Sequence, residues 1–180
     1  GRAGLYVPGG QGGKTPLISS LLMTAIPALV AGVPEIAVIS PPKDDGGLNP
    51  YILAAARLIG ITEIYACGGP WGIAALACGT QSIRPVDVIA GPGNAYVTEA
   101  KRQVMGRVGI DMLAGPSEIL IIADAGAAPA MIAADMLSQA EHDRQSSALF
   151  ITDEPNLIPA VREELKKQLD GLPRADIAAA

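Results

Sequence analysis

The feature that most constrains this chain is a strict alternation. Short runs rich in Ile, Val and Leu are each followed by a glycine- or proline-rich turn and then by a segment of helical character. Extended runs are expected over 2–7, 35–40, 62–67, 86–90, 108–111, 118–123 and 147–152. Helices are expected over 17–33, bent or interrupted at Pro27, and over 70–78, 95–105, 128–142 and 156–169. A further helix opens at Asn49-Pro50, an N-cap followed by a proline at the first helical position, and closes at Gly60. Parallel strands need a crossover of helical length between them, so this pattern implies βαβ units. The expected class is α/β, a parallel sheet with helices on both faces.

Composition supports that reading. Apolar residues make up 49% of the 180-residue chain and aromatics only 3%, so the core must be aliphatic, as in buried parallel sheets. A net charge of −5 argues against nucleic acid or an anionic membrane as the main partner. The longest apolar stretch, 21–33, is too short to span a bilayer, and no secretory signal is visible. Cys67 and Cys78 lie among apolar residues at no metal-ligand spacing; buried thiols in a reducing, cytoplasmic compartment are expected. The ends, Gly1 and Ala178-Ala179-Ala180, read as those of an excised piece.

The sole histidine closes Ser138-Gln139-Ala140-Glu141-His142. If the helix runs to that point, Asp135, Gln139 and His142 fall within about 60° of one another. Such a stripe is either half of a metal or substrate site or a solvated helix face. Other candidates are the turns that follow the strands, because open parallel sheets bind ligands at the strands' carboxyl ends. Gly68-Gly69 and Gly91-Pro92-Gly93-Asn94 would let a nucleotide approach the backbone and the free N–H groups of a helix start. Neither completes G-x-G-x-x-G. Gly13-Lys14-Thr15 lacks the P-loop spacing and runs into Pro16. Ser117 precedes a strand without a nucleophile elbow, which suits a positioning hydroxyl. Trp71, the only tryptophan, is expected to pack between helix and sheet or to wall a pocket.

Several stretches in order resemble histidinol dehydrogenase. They are 4–10 (Gly-Leu-Tyr-Val-Pro-Gly-Gly), 22–28 with 31–33, 73–77, 91–101 (Gly-Pro-Gly-Asn-Ala-Tyr-Val-Thr-Glu-Ala-Lys), 110–111, 114–118 (Ala-Gly-Pro-Ser-Glu) and 138–142. The resemblance covers nearly the whole chain. It implies a zinc-dependent enzyme that oxidises L-histidinol to L-histidine with two NAD⁺, a cytoplasmic homodimer with two Rossmann-like domains that lack the usual fingerprint. Gln139 and His142 inherit zinc ligation and substrate contact, Ser117 a substrate contact, and Tyr6 and Asn94 cofactor contacts; Asp135 is left as support or surface. The implied division is a Rossmann-like, cofactor-side domain over 1–117 and part of a second α/β domain over 118–180.

Three departures stand out. The loop 11–16 is long and glycine-rich, and Trp71 stands where many members have a cofactor-contacting glutamine. The family's acid–base pair, in a Gly-Pro-Glu-His motif, does not occur in these residues, and neither do its further zinc ligands, an Asp and a second His. No catalytic acid–base residue is therefore assigned here. The alternatives are a related dehydrogenase of another small alcohol and a non-catalytic nucleotide-binding or assembly domain; a downstream Gly-Pro-Glu-His motif separates the enzyme from the scaffold.

Overall fold

A computed structural model describes residues 1–10, 16–115 and 117–179. The chain divides into two compact units, Gly1–Ala114 and Gly115–Ala180. The division falls just before the expected boundary at Ser117 and assigns that serine to the second unit.

The first unit holds five strands: β1 (Arg2–Tyr6), β2 (Glu35–Ser40), β3 (Glu63–Ala66), β4 (Val88–Ala90) and β5 (Gly109–Ile110). All pair in parallel, in the order β3-β2-β1-β4-β5. Four helices intervene: α1 (Ile18–Val30), α2 (Pro50–Leu58), α3 (Gly69–Cys78) and α4 (Ala95–Val104). Strand side chains alternate between faces, and each face has its own core. Ala3, Leu5, Val7 and Val38 pack with Leu21 and Ala25 of α1 and Ile52 and Ala56 of α2. Tyr6, Ala37, Ile39 and Ile89 pack with Ile73 and Leu76 of α3 and Val97 of α4. The expected parallel sheet with helices on both faces is what forms.

The turn chemistry acts as read. Asn49 Oδ1 accepts from Tyr51 N–H at 3.0 Å with Pro50 opening the helix, and Gly60 leaves it at φ +80. Of the two expectations at Pro27, interruption does not occur: α1 runs through it as a single helix. The proline removes only the N–H that would reach Met23, a residue 76% exposed, so water can take its place and the helix need not break there.

At the amino ends of the strands sits an ion cluster. Arg2, buried at the start of β1, donates from Nη1 to Glu35 Oε2 at 2.9 Å and to Glu63 Oε2 at 2.8 Å, and from Nη2 to Glu63 Oε1. The hydrogen bonds from Arg2 hold the Glu63 carboxyl below its usual range. A carboxyl lowered by folding stabilises the fold above its unfolded pKa, about 4.3, and that contribution disappears as pH falls through the folded value. Arg2→Met is therefore expected to cost stability at neutral pH, with the gap to wild type narrowing in acid. Urea midpoints along a pH series check this; a gap constant with pH would contradict it.

The second unit is smaller. β6 (Glu118–Ile122) and β7 (Ser147–Ile151) pair in parallel around the crossover helix α5 (Pro129–Ala140), with α6 (Leu157–Leu169) and the short α7 (Ala175–Ala178) after them. Ile121 and Phe150 face the core formed by Ile132, Ala133, Leu157 and Val161. Leu120, Ile122, Leu149 and Ile151, on the opposite face, are exposed. Among the described residues no helix is long and apolar enough to cross a membrane.

Candidate functional site

In a sheet of this order the chain leaves β1 toward one side and β4 toward the other, which opens a crevice at their carboxyl ends. A cleft of about 390 Å³ lies there, lined by Tyr6, Pro8, Gly9, Gly10, Pro41, Gly93 and Asn94. Tyr6 and Asn94, distant in sequence, thus share one cavity. The Tyr6 ring is buried, and its hydroxyl oxygen accepts from Gly69 N–H at 3.2 Å, which leaves the phenolic proton free to donate. Burial pushes the phenol above its ordinary pKa, so it stays neutral and a donor at working pH. Asn94 caps α4, its Oδ1 accepting from Val97 N–H at 3.1 Å, so the Nδ2 donors remain. The N–H groups of Ala95 and Tyr96, in the first turn of α4, have no intrahelical partner and give that end partial positive charge.

Two expected backbone donors are already taken. Gly69 N–H serves Tyr6, and Gly91 N–H donates to Asp111 Oδ2 at 2.8 Å. Gly91 has φ +121, and a Cβ there would stand 2.1 Å from the Tyr6 carbonyl oxygen, so only glycine lets the end of β4 lie this close to β1. Lys101 and Asp111 were not anticipated as a pair. The signal was present: Lys101 follows Val97 by four residues on the buried stripe of α4 and is only 3% exposed.

Trp71 neither packs between helix and sheet nor lines this cleft; it is 77% exposed and leans over Gly69. Of the two thiols expected to be buried, Cys67 is half-buried and Cys78 is exposed, because Cys78 ends α3 on its outer side. Gly13-Lys14-Thr15, most of the loop 11–16, and Pro116 of the Ala-Gly-Pro-Ser-Glu stretch lie outside the described residues.

In the second unit α5 stops at Ala140, two residues before His142. Glu141 caps it, and His142 N–H turns back to the Gln139 carbonyl at 3.1 Å. Continuous helical spacing therefore does not place His142; a turn does. The crossover topology sets the site. A helix between parallel strands runs against them, so its carboxyl end lies at their amino ends. Gln139 and His142 accordingly sit at the same end as Ser117, whose carbonyl accepts from Ser147 N–H at 3.3 Å. This is the amino end of the β6–β7 pair, opposite to the end that the general rule favours. His142 and Ser117 are exposed, as is Asp135. Gln139 is half-buried, and its Nε2 is buried without a partner. Carboxamide O and N are interchangeable assignments, so an unsatisfied amide here fits a group waiting for a ligand. Among the described residues no cluster of three His, Cys, Asp or Glu can hold a metal. His142 is a donor type that zinc favours and the Gln139 amide oxygen an unusual one, and two donors cannot close a four-coordinate site alone.

Comparison with known proteins agrees with the motifs. A sequence model described as histidinol dehydrogenase matches residues 1–180. This chain belongs to the histidinol dehydrogenase family. A histidinol dehydrogenase of Oleidesulfovibrio alaskensis is 68% identical over 178 residues, which span 99% of this chain and 41% of that protein. One of Bacillus subtilis is 56% identical over 99% of this chain and 41% of its own length. The crystal structure of histidinol dehydrogenase from Elizabethkingia anophelis superposes with a TM-score of 0.91 at 46% identity, over 98% of this chain and 40% of that one. The chain thus spans about two-fifths of the length of these histidinol dehydrogenases, and its fold is shared with the Elizabethkingia anophelis structure.

Proposed function

We propose that these residues are the cofactor side and part of the metal side of a zinc-dependent, NAD⁺-dependent dehydrogenase that oxidises L-histidinol to L-histidine. The observation that carries the cofactor half is the meeting of Tyr6 and Asn94 in the cleft where the strand order reverses. There the neutral Tyr6 hydroxyl and the Asn94 amide donate to the dinucleotide, and the start of α4 favours its negative charge. In the metal half, Gln139 and His142 hold zinc, and the Ser117 hydroxyl orients the substrate from the same end of the second unit. Zinc, when bound, supplies a template and Lewis acid for the amino and imidazole groups of histidinol. The resemblance puts the acid–base pair in a Gly-Pro-Glu-His motif that these residues do not contain, so the proton of the alcohol is proposed to leave to that base elsewhere in the full protein. The full protein is proposed to act as a cytoplasmic homodimer. The division of labour places 1–114 with the cofactor and the remainder, Ser117 included, with the metal.

The deciding experiment uses the full-length protein that carries these residues. His142→Ala and Gln139→Ala are each expected to lower bound zinc by elemental analysis and to reduce histidinol-dependent NADH formation by roughly 100-fold or more, the usual scale for losing part of a catalytic metal site. Wild-type zinc content and activity in His142→Ala would overturn the assignment.

A further inference from the structure

The loop Gly91–Asn94 carries one wall of the cleft, yet little packs behind it. A second cavity, about 220 Å³, lies against its other side and is lined by Gly91, Pro92, Gly93, Lys101, Asp111 and Met112 among others. Gly93 borders both cavities, so the loop is a partition between them. Glycine on both sides of Pro92 gives the segment a large conformational entropy to lose. What holds it is a closed polar triangle. Lys101 Nζ donates to the Gly91 carbonyl at 2.7 Å and to Asp111 Oδ1 at 2.6 Å, while Asp111 Oδ2 accepts from Gly91 N–H at 2.8 Å. Both backbone groups of one residue are thereby fixed, from a helix on one side and from the segment after β5 on the other. At its far end the loop is tied by the Asn94 cap.

Lys101 is buried and Asp111 partly exposed, so desolvation falls chiefly on the lysine and offsets much of the Coulomb gain, which makes the pair a weak stabilising device. A pair spent on the two backbone groups of a flexible loop serves position instead. We propose that Lys101 and Asp111 are positioning residues for dinucleotide binding: they lock the Gly91–Asn94 loop so that Asn94 and the start of α4 face the cleft. This rests on the reading of the cleft as the cofactor site.

The test is calorimetric titration with NAD⁺ of the full-length protein that carries these residues, paired with thermal melting. Lys101→Met, Asp111→Leu and the double variant are each expected to bind NAD⁺ at least tenfold more weakly than wild type. The double variant, which leaves no charge unpaired, recovers much of the melting temperature that the single variants lose but not their affinity. Leu76→Ala, a core truncation away from the loop, sets the control: a lower melting temperature with affinity within about threefold of wild type. Affinity that returns with stability in the double variant, or wild-type affinity in Lys101→Met, would overturn the positioning role. Should the variants not fold, amide exchange in the unaltered chain still decides. Slow exchange at Gly91 N–H supports the clamp, and exchange as fast as in an open loop sinks it. A full-length wild-type protein that binds NAD⁺ equally well after Tyr6→Phe and Asn94→Ala overturns instead the cofactor reading on which the proposal stands.

Discussion

Gly91→Ala is expected to destabilise the first unit by about 3 kcal/mol or more, a large share of the stability of an ordinary domain. Two costs add. The backbone at φ +121 belongs to a region that residues with a Cβ avoid, and the new methyl would meet the Tyr6 carbonyl oxygen at 2.1 Å. Neither partner can step aside. Tyr6 ends the central strand and its hydroxyl oxygen accepts from Gly69 N–H, while Gly91 is held by Lys101 and Asp111. Gly106→Ala provides the comparison, because that glycine also has positive φ, +93, but nothing lies within 4 Å of the added carbon. It should cost only the backbone strain, about 1–2 kcal/mol. Urea midpoints of the two variants measure the difference; equal midpoints would show that the close approach to Tyr6 is relieved at no cost.

The second large effect is an absence of turnover. The isolated 180 residues, supplied with L-histidinol, NAD⁺ and zinc, are expected to form no NADH above background. The chain has one histidine, proposed as a zinc ligand, and no Gly-Pro-Glu-His segment, in which the resemblance puts the acid–base pair. Its two proposed zinc donors leave half the coordination to water, so zinc should bind more weakly than about 1 µM, far short of a complete structural site. Steady NADH formation would show that a base exists among these residues. Submicromolar zinc binding that survives His142→Ala would show a metal site elsewhere in the chain.

Much of this molecule was legible before any coordinates. Alternation of aliphatic runs and helical segments gives the α/β class, because local periodicity and turn residues act over a few positions. Asn49-Pro50 and Gly60 mark the ends of α2 where the structure has them. The motif resemblance named Tyr6, Asn94, Ser117, Gln139 and His142, and the same resemblance led to the family that the comparisons show. Local reading was weakest where an element ends or turns outward. It carried α5 on to His142 and buried Trp71 and Cys78. Apolar character says that a side chain prefers burial, not that a neighbour is there to bury it.

By itself, then, the sequence determined the elements, their parallel arrangement and the residues worth watching, since these follow from short-range periodicity, capping and motif. Only the tertiary structure decided which of them meet. The strand order opens a crevice between β1 and β4, and that crevice brings Tyr6 to Asn94. The crossover of α5 sets Gln139 and His142 at the Ser117 end of the second sheet. Lys101 closes on Asp111 and Gly91 because helix packing turns one face of α4 inward. These pairings depend on which strand lies beside which and which face is covered, and both are settled by burial across the whole sheet rather than by any neighbour in sequence.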